Sequence, residues 1–147
     1  MTGNDGNIYR TARMLAGMTQ ERWAEAVGVD VRSIQRYEQG ETTPDDDTVY
    51  MMATISAHPV LCYWHMTRRS QLGDVLPDVE RVPLPQAVCE ILTAISDFSE
   101  SQYGLMKLAA DGKISADERM EWDGIAARLD GVIKAALQLK YAEGGTN

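Results

Sequence analysis

The chain of 147 residues has only two cysteines, Cys62 and Cys89, too few for a disulfide framework, so a reduced, cytoplasmic setting is the expectation. Long hydrophobic runs are lacking too. No apolar stretch approaches the ~18 residues of a membrane span, so no membrane partner is expected. The polar start, Met1-Thr2-Gly3-Asn4-Asp5-Gly6-Asn7, carries no basic-then-apolar export pattern and reads as a flexible tail. Positive charge is scarce: 14 Lys and Arg stand against 22 Asp and Glu, a net −8. That excludes a protein that coats nucleic acid through bulk positive charge, but leaves room for a local basic surface. There is no internal repeat, phosphate loop, Gly-x-Ser-x-Gly elbow or motif-borne nucleophile with a histidine partner. Neither enzyme activity nor a cofactor is expected.

What is present is ordinary globular composition, 44% apolar and 24% charged, enough for one domain or a small domain with an appendage. From Ile8 to Ala57 the punctuation is dense. Gly17-Met18-Thr19, Gly28-Val29-Asp30, Gly40 and Pro44-Asp45-Asp46-Asp47 each fit a helix stop followed by an N-cap. Four short helices are predicted near 8–16, 20–27, 31–39 and 46–57, with a fifth from Pro59 to Ser70. Residues 71–86 hold Pro77, Pro83 and Pro85 and read as a linker. Two longer helices follow, near 86–110 and 115–141. Val88, Ile91, Ile95 and Phe98 mark the apolar stripe of the first, and Trp122, Ile125, Leu129, Val132 and Ile133 that of the second. The expected organisation is therefore 1–70, a linker at 71–86, and an antiparallel two-helix hairpin over 87–147.

Two stretches carry partial metal-binding patterns. Asp111, Gly112, Ile114 and Glu118 fall at the fifth, sixth, eighth and twelfth positions of a calcium loop. Its first and third positions would be Lys107 and Ala109, which cannot supply carboxylates. A glycine stop at Gly112 and a capping box over Ser115-Ala116-Asp117-Glu118 explain the turn better. His58, Cys62 and His65 share a helical face, and Cys89 is a conceivable fourth ligand. The tight paired spacing of zinc sites is absent, however, and Leu61, Tyr63, Trp64 and Met66 suggest ordinary packing. No metal is expected.

The informative stretch is QERWAEAVGVDVRSIQRYEQ, Gln20 to Gln39. Ala24 is its fifth position, Gly28 its ninth and Ile34 its fifteenth, with apolar Trp23, Val27, Val29 and Tyr37 between. A small fifth residue lets two helices cross closely, and a glycine at the turn accepts positive φ. These residues, with Arg13, Gly17-Met18-Thr19-Gln20, Ser33-Ile34, Arg36-Tyr37-Glu38-Gln39-Gly40 and Pro44, resemble the Cro/XRE-type helix-turn-helix family of phage and bacterial repressors. The resemblance covers about a third of the chain, 8–57. Trp23 stands where the family usually has leucine. The resemblance implies an all-α chain with a four- to five-helix, lambda-repressor-like domain whose third helix reads the major groove, a geometry that phage repressors exemplify. It further implies a sequence-specific, prophage-derived regulator that binds a pseudo-palindromic operator in double-stranded DNA.

Asp30 is the expected cap of that recognition helix, leaving Val31, Arg32, Gln35 and Arg36 outward and Ser33 at the edge. Arginine donates bidentately to guanine and glutamine pairs with adenine. Gln20 and Gln39, at helix ends, are expected on phosphates. Family members pair the positions of Arg13 and Glu38 in a partly buried salt bridge, a structural role. Residues 1–44 hold five arginines and six acids, net −1, so the remaining −7 lies beyond the motif. Non-specific affinity for DNA should be poor. A single recognition helix reads few base pairs, so a homodimer through Val88, Ile91, Ile95, Phe98, Trp122, Ile125, Leu129, Val132 and Ile133 is expected. The alternatives are an antitoxin-like protein whose hairpin binds another protein, and a degenerate motif kept only for oligomerisation.

Overall fold

The computed structural model describes residues 6–69 and 71–144. Residues 1–5, most of the expected tail, together with Ser70 and 145–147, lie outside the described residues. The chain divides into two compact units, Met1–Leu76 and Pro77–Asn147. Both are helical, and the described residues contain no strand, only an isolated bridge between Pro83 and Glu143. The all-α expectation holds.

The first unit contains α1 (Ile8–Leu15), α2 (Gln20–Val27), α3 (Val31–Gln39), α4 (Asp46–Ser56) and α5 (Val60–Arg69), then a 3-10 turn, Gln71–Val75. Each of the first four helices begins where a short polar side chain takes up free backbone N–H groups. Thr19 Oγ1 accepts from Arg22 N at 3.3 Å and Asp45 Oδ1 from Thr48 N at 2.8 Å. Asn7 caps α1 by accepting from Tyr9 N at 3.0 Å and Arg10 N at 3.1 Å, and it donates to the Tyr37 carbonyl. Asn7 is thus an anchor, where a flexible tail was expected. Trp23, Ile34, Val49, Met52, Val60 and Leu61 are all but inaccessible and supply the core. The 3-10 turn occupies part of the expected linker. Gly73 permits it, because a Cβ there would lie 1.8 Å from the Thr67 carbonyl oxygen.

The second unit contains α6 (Leu84–Ser99), α7 (Gln102–Ala109) and α8 (Arg119–Lys140). α6 and α8 pack against each other along their length, and α7 lies on α8. The first arm is therefore two helices, where one from 86 to 110 was expected. Arg128 explains the break: its Nη1 donates to the Asp97 carbonyl at 3.2 Å and to Ser101 Oγ at 3.0 Å, drawing the end of α6 onto α8. The chain restarts as α7 with Gly104 against α8, where a Cβ would meet Glu121 Oε1 at 2.8 Å and Ile125 Cδ1 at 3.3 Å. α8 starts later than expected. Glu118 Oε2 accepts from Ser115 N at 3.0 Å, the returning half of a capping box, but residues 115–118 form a tight turn and the helix begins at Arg119. At the other end of the unit, Leu84 N donates to the Glu143 carbonyl at 3.2 Å and Glu143 N to the Val82 carbonyl at 2.9 Å. Val82, Ala87, Leu139 and Ala142 pack beside this clasp.

Candidate nucleic-acid interface

α2 ends at Gly28, whose φ of 83° turns the chain sharply while its N–H bonds the Ala24 carbonyl at 2.9 Å. Ala24, 3% exposed, lets α2 and α3 approach. Asp30 then caps α3: Oδ1 accepts from Ser33 N at 2.9 Å and Oδ2 from the Ser33 hydroxyl at 2.8 Å. Those bonds, the hydroxyl's first, hold the Asp30 carboxyl below its ordinary pKa. In the free chain the Ser33 hydroxyl thus donates to the cap, and Ser33 stays half-exposed at the edge of the helix face.

Only Ile34 of α3 is fully buried. Arg32, Arg36 and Gln39 are exposed, and Val31 and Gln35 are half-buried. Residues 32, 35, 36 and 39 follow helical i, i+3, i+4, i+7 spacing and form one outward stripe. Arg36 lies 3.7 Å from Glu41, with both side chains more than half exposed, a loose contact that an anionic ligand can displace.

Behind this stripe, Arg13 Nε and Nη2 donate to the two carboxylate oxygens of Glu38 at 2.6 and 3.1 Å. Arg13 Nη1 bonds the Met18 carbonyl at 2.8 Å. The side chains are 11% and 5% exposed. The hydrogen bond to Glu38 raises the already high pKa of Arg13. Gln20 joins the same cluster, its Nε2 donating to Glu38 Oε2 at 2.8 Å. Expected on a phosphate, this side chain is held inward by Glu38. The N-terminus of α2 still presents its backbone N–H groups.

Residues 10–55 match the family described as Helix-turn-helix. These residues form a helix-turn-helix domain. Such domains bind DNA rather than catalyse, and the crossing of α2 and α3 is the part of the fold that does so. Neither a curated protein nor a solved structure matches the chain.

A polar chain inside the helix-turn-helix unit has no counterpart in the sequence reading. The Tyr9 hydroxyl lies 2.8 Å from Nδ1 of His65, which is 3% exposed. His65 Nε2 faces Asp46 Oδ1 at 3.2 Å, and Arg69 Nη1 reaches the same oxygen at 2.7 Å. The chain ties α1, α4 and α5 together, and burial raises the pKa of Tyr9. His65 thus has partners on both ring nitrogens, while His58 Nδ1 lies against the Ser56 carbonyl. Among the described residues, no three His, Cys, Asp or Glu side chains are grouped as a metal would need. No described helix is long and apolar enough to cross a membrane.

In the second unit the expected dimerisation residues separate. Ile125, expected at a dimer interface, is 6% exposed against α7 and packs within the unit itself. Ile91, Phe98, Trp122 and Val132 are half-buried between helices. Val88, Ile95, Leu129 and Ile133 stand exposed, and Leu92, unassigned from sequence, is 62% exposed beside them.

Proposed function

We propose that the chain is a sequence-specific transcriptional regulator that lays α3 in the major groove of a pseudo-palindromic operator and acts as a homodimer. The observation that carries this reading is the outward stripe of Arg32, Gln35, Arg36 and Gln39 on a helix anchored by Ile34 and capped by Asp30. Arg32 and Arg36 donate to guanine, Gln35 to adenine, and Val31 packs on a thymine methyl. Gln39 and the α2 N-terminus, led by Gln20, position the phosphates. The exposed Val88, Leu92 and Ile95 of α6 and Leu129 and Ile133 of α8 support the dimer. Two chains meeting there form a four-helix bundle and present two recognition helices to half-sites one helical turn apart.

Selection from random and genomic DNA tests the reading. Wild type enriches a palindrome, and Arg32→Ala/Arg36→Ala loses it, each base contact contributing about 1–3 kcal/mol. Absence of enrichment at low salt overturns it. Sedimentation equilibrium tests the dimer separately: a monomer at tens of micromolar overturns that part alone, and Leu92→Glu/Ile133→Glu should produce one. A second reading, a partner-binding protein that uses the helix-turn-helix for autoregulation, is favoured by Tyr103, Met106 and Met120, which are 82%, 76% and 84% exposed. A chain that co-purifies with tagged wild type and is lost in Tyr103→Ser/Met106→Ser supports it.

A further inference from the structure

α6 and α8 differ on their two sides. On the polar side they enclose an open groove of about 490 Å³, within the range of small-ligand sites. From α6, Gln86, Glu90, Thr93 and Asp97 line it at i, i+4, i+7 and i+11, a single helical stripe. From α8, Gly131, Lys134, Ala135 and Gln138 line it at i, i+3, i+4 and i+7. Glu80 lies at its margin.

Gln138 singles the groove out. The residue is 5% exposed, yet its carboxamide has no hydrogen-bond partner among the described residues. It is not sealed in the interior, since among the described residues the one fully buried polar side-chain atom without a partner is the Trp23 indole nitrogen. The amide therefore meets the groove it lines, where it is open to water and to a bound group alike. Gly131, an exposed residue of the lining, leaves the groove open on the α8 side. Glycine is a poor residue for the middle of a helix. Here a Cβ would meet no atom within 4 Å, so packing within the protein does not require it. Its absent side chain keeps the groove floor low.

The lining defines the ligand's chemistry. Glu80, Glu90 and Asp97 are carboxylates that accept hydrogen bonds, and Lys134 is the single opposing cation. Gln86 Nε2 already donates to Glu90 Oε1 at 2.7 Å, and the Thr93 hydroxyl donates to the Cys89 carbonyl at 2.9 Å. What remains is predominantly acceptor and net negative. Glu90 and Asp97 are seven residues apart on one face, about 10 Å along the helix. We propose that this groove binds an elongated organic cation, a linear polyamine whose terminal ammonium groups engage Glu90 and Asp97 while Gln138 Oε1 accepts from an amine between them. The site lies wholly within the second unit and does not depend on the DNA-binding reading.

Calorimetric titration of the full chain with spermidine at 0.15 M salt tests this. Saturation at one equivalent is expected, with Glu90→Gln/Asp97→Asn weakening binding at least tenfold. Gly131→Leu fills the floor and should also weaken binding at least tenfold, while the thermal melt stays unchanged or rises. Gln138→Leu should weaken it several-fold. Three results would overturn the proposal: no saturable binding at millimolar spermidine, ethylenediamine binding equally well, or binding that Gly131→Leu leaves intact, as diffuse attraction to an acidic chain would.

Discussion

Removing Glu38 isolates the contribution of the cluster beneath the recognition helix. Its carboxylate, 5% exposed, accepts from Arg13 twice and from Gln20 once. In Glu38→Ala the Arg13 guanidinium, still largely buried, keeps only the Met18 carbonyl, and the Gln20 amide loses its acceptor. Stranding one partner of a buried ion pair costs about 3–5 kcal/mol. A unit of this size shifts its midpoint by about 4–8 °C per kcal/mol, so even the lower bound lowers the melting temperature of the first unit by about 12 °C. Arg13→Met/Glu38→Met removes both charges and keeps the volume, so it should be more stable than either Arg13→Met or Glu38→Met alone, with a coupling of about 2 kcal/mol or more. Urea denaturation followed by tryptophan fluorescence and circular dichroism, fitted with separate transitions for the two units, gives all four corners of the cycle. A single-variant loss below about 1 kcal/mol, the level of an exposed pair, would refute the reasoning, as would simple additivity in the double variant.

Other substitutions probe the core, the turn and the cap. Trp23→Ala should cost about 3–5 kcal/mol. Trp23→Leu should cost clearly less, because it also deletes a buried indole N–H that has no acceptor among the described residues; equal losses in denaturant titrations would contradict this. Gly73→Ala should lift the 3-10 turn off α5, at a cost of about 1–3 kcal/mol and with faster limited proteolysis near 71–76. An unchanged cleavage pattern would contradict it. The lowered pKa of Asp30 means that its capping contribution is present above the ordinary carboxylate value of about 4 and disappears as pH falls through the lower folded value. Asp30→Asn keeps the cap without titrating, so melts from pH 7 to pH 2 should show a smaller acid loss than wild type; identical profiles would sink the idea.

Local chemistry made the helices of the first unit readable. Thr19, Asp30 and Asp45 cap within three residues of themselves, and Gly28 stops α2 for reasons internal to the turn. The pairing of Arg13 with Glu38 followed from the family resemblance, whereas the inward pull on Gln20 depended on where Glu38's second oxygen came to rest. What was not legible depended on distant partners. Asn7 is anchored by a carbonyl 30 residues away, and Tyr9 meets His65 across 56. Periodicity carried the first arm of the hairpin straight through Ser99 and Ser101, because the residue that breaks it, Arg128, is on α8. The same blindness placed Ile125 with Leu129: both fit one stripe, and only Gly104 on α7 decides which is covered.

The clasp between Val82, Leu84 and Glu143 brings the entry and exit of the second unit side by side. Its helices thus form a nearly closed circuit, and the order in which the chain visits them is not essential to their packing. A circular permutant that joins Glu143 to Val82 through a few residues and opens at the Asp111–Lys113 turn keeps α6 on α8 and α7 on α8. Closing that short join costs little chain entropy, since the native hydrogen bonds already hold the two ends together. In such a permutant the first unit can be attached at the opposite end of the bundle, making its point of attachment a free variable independent of the helical core.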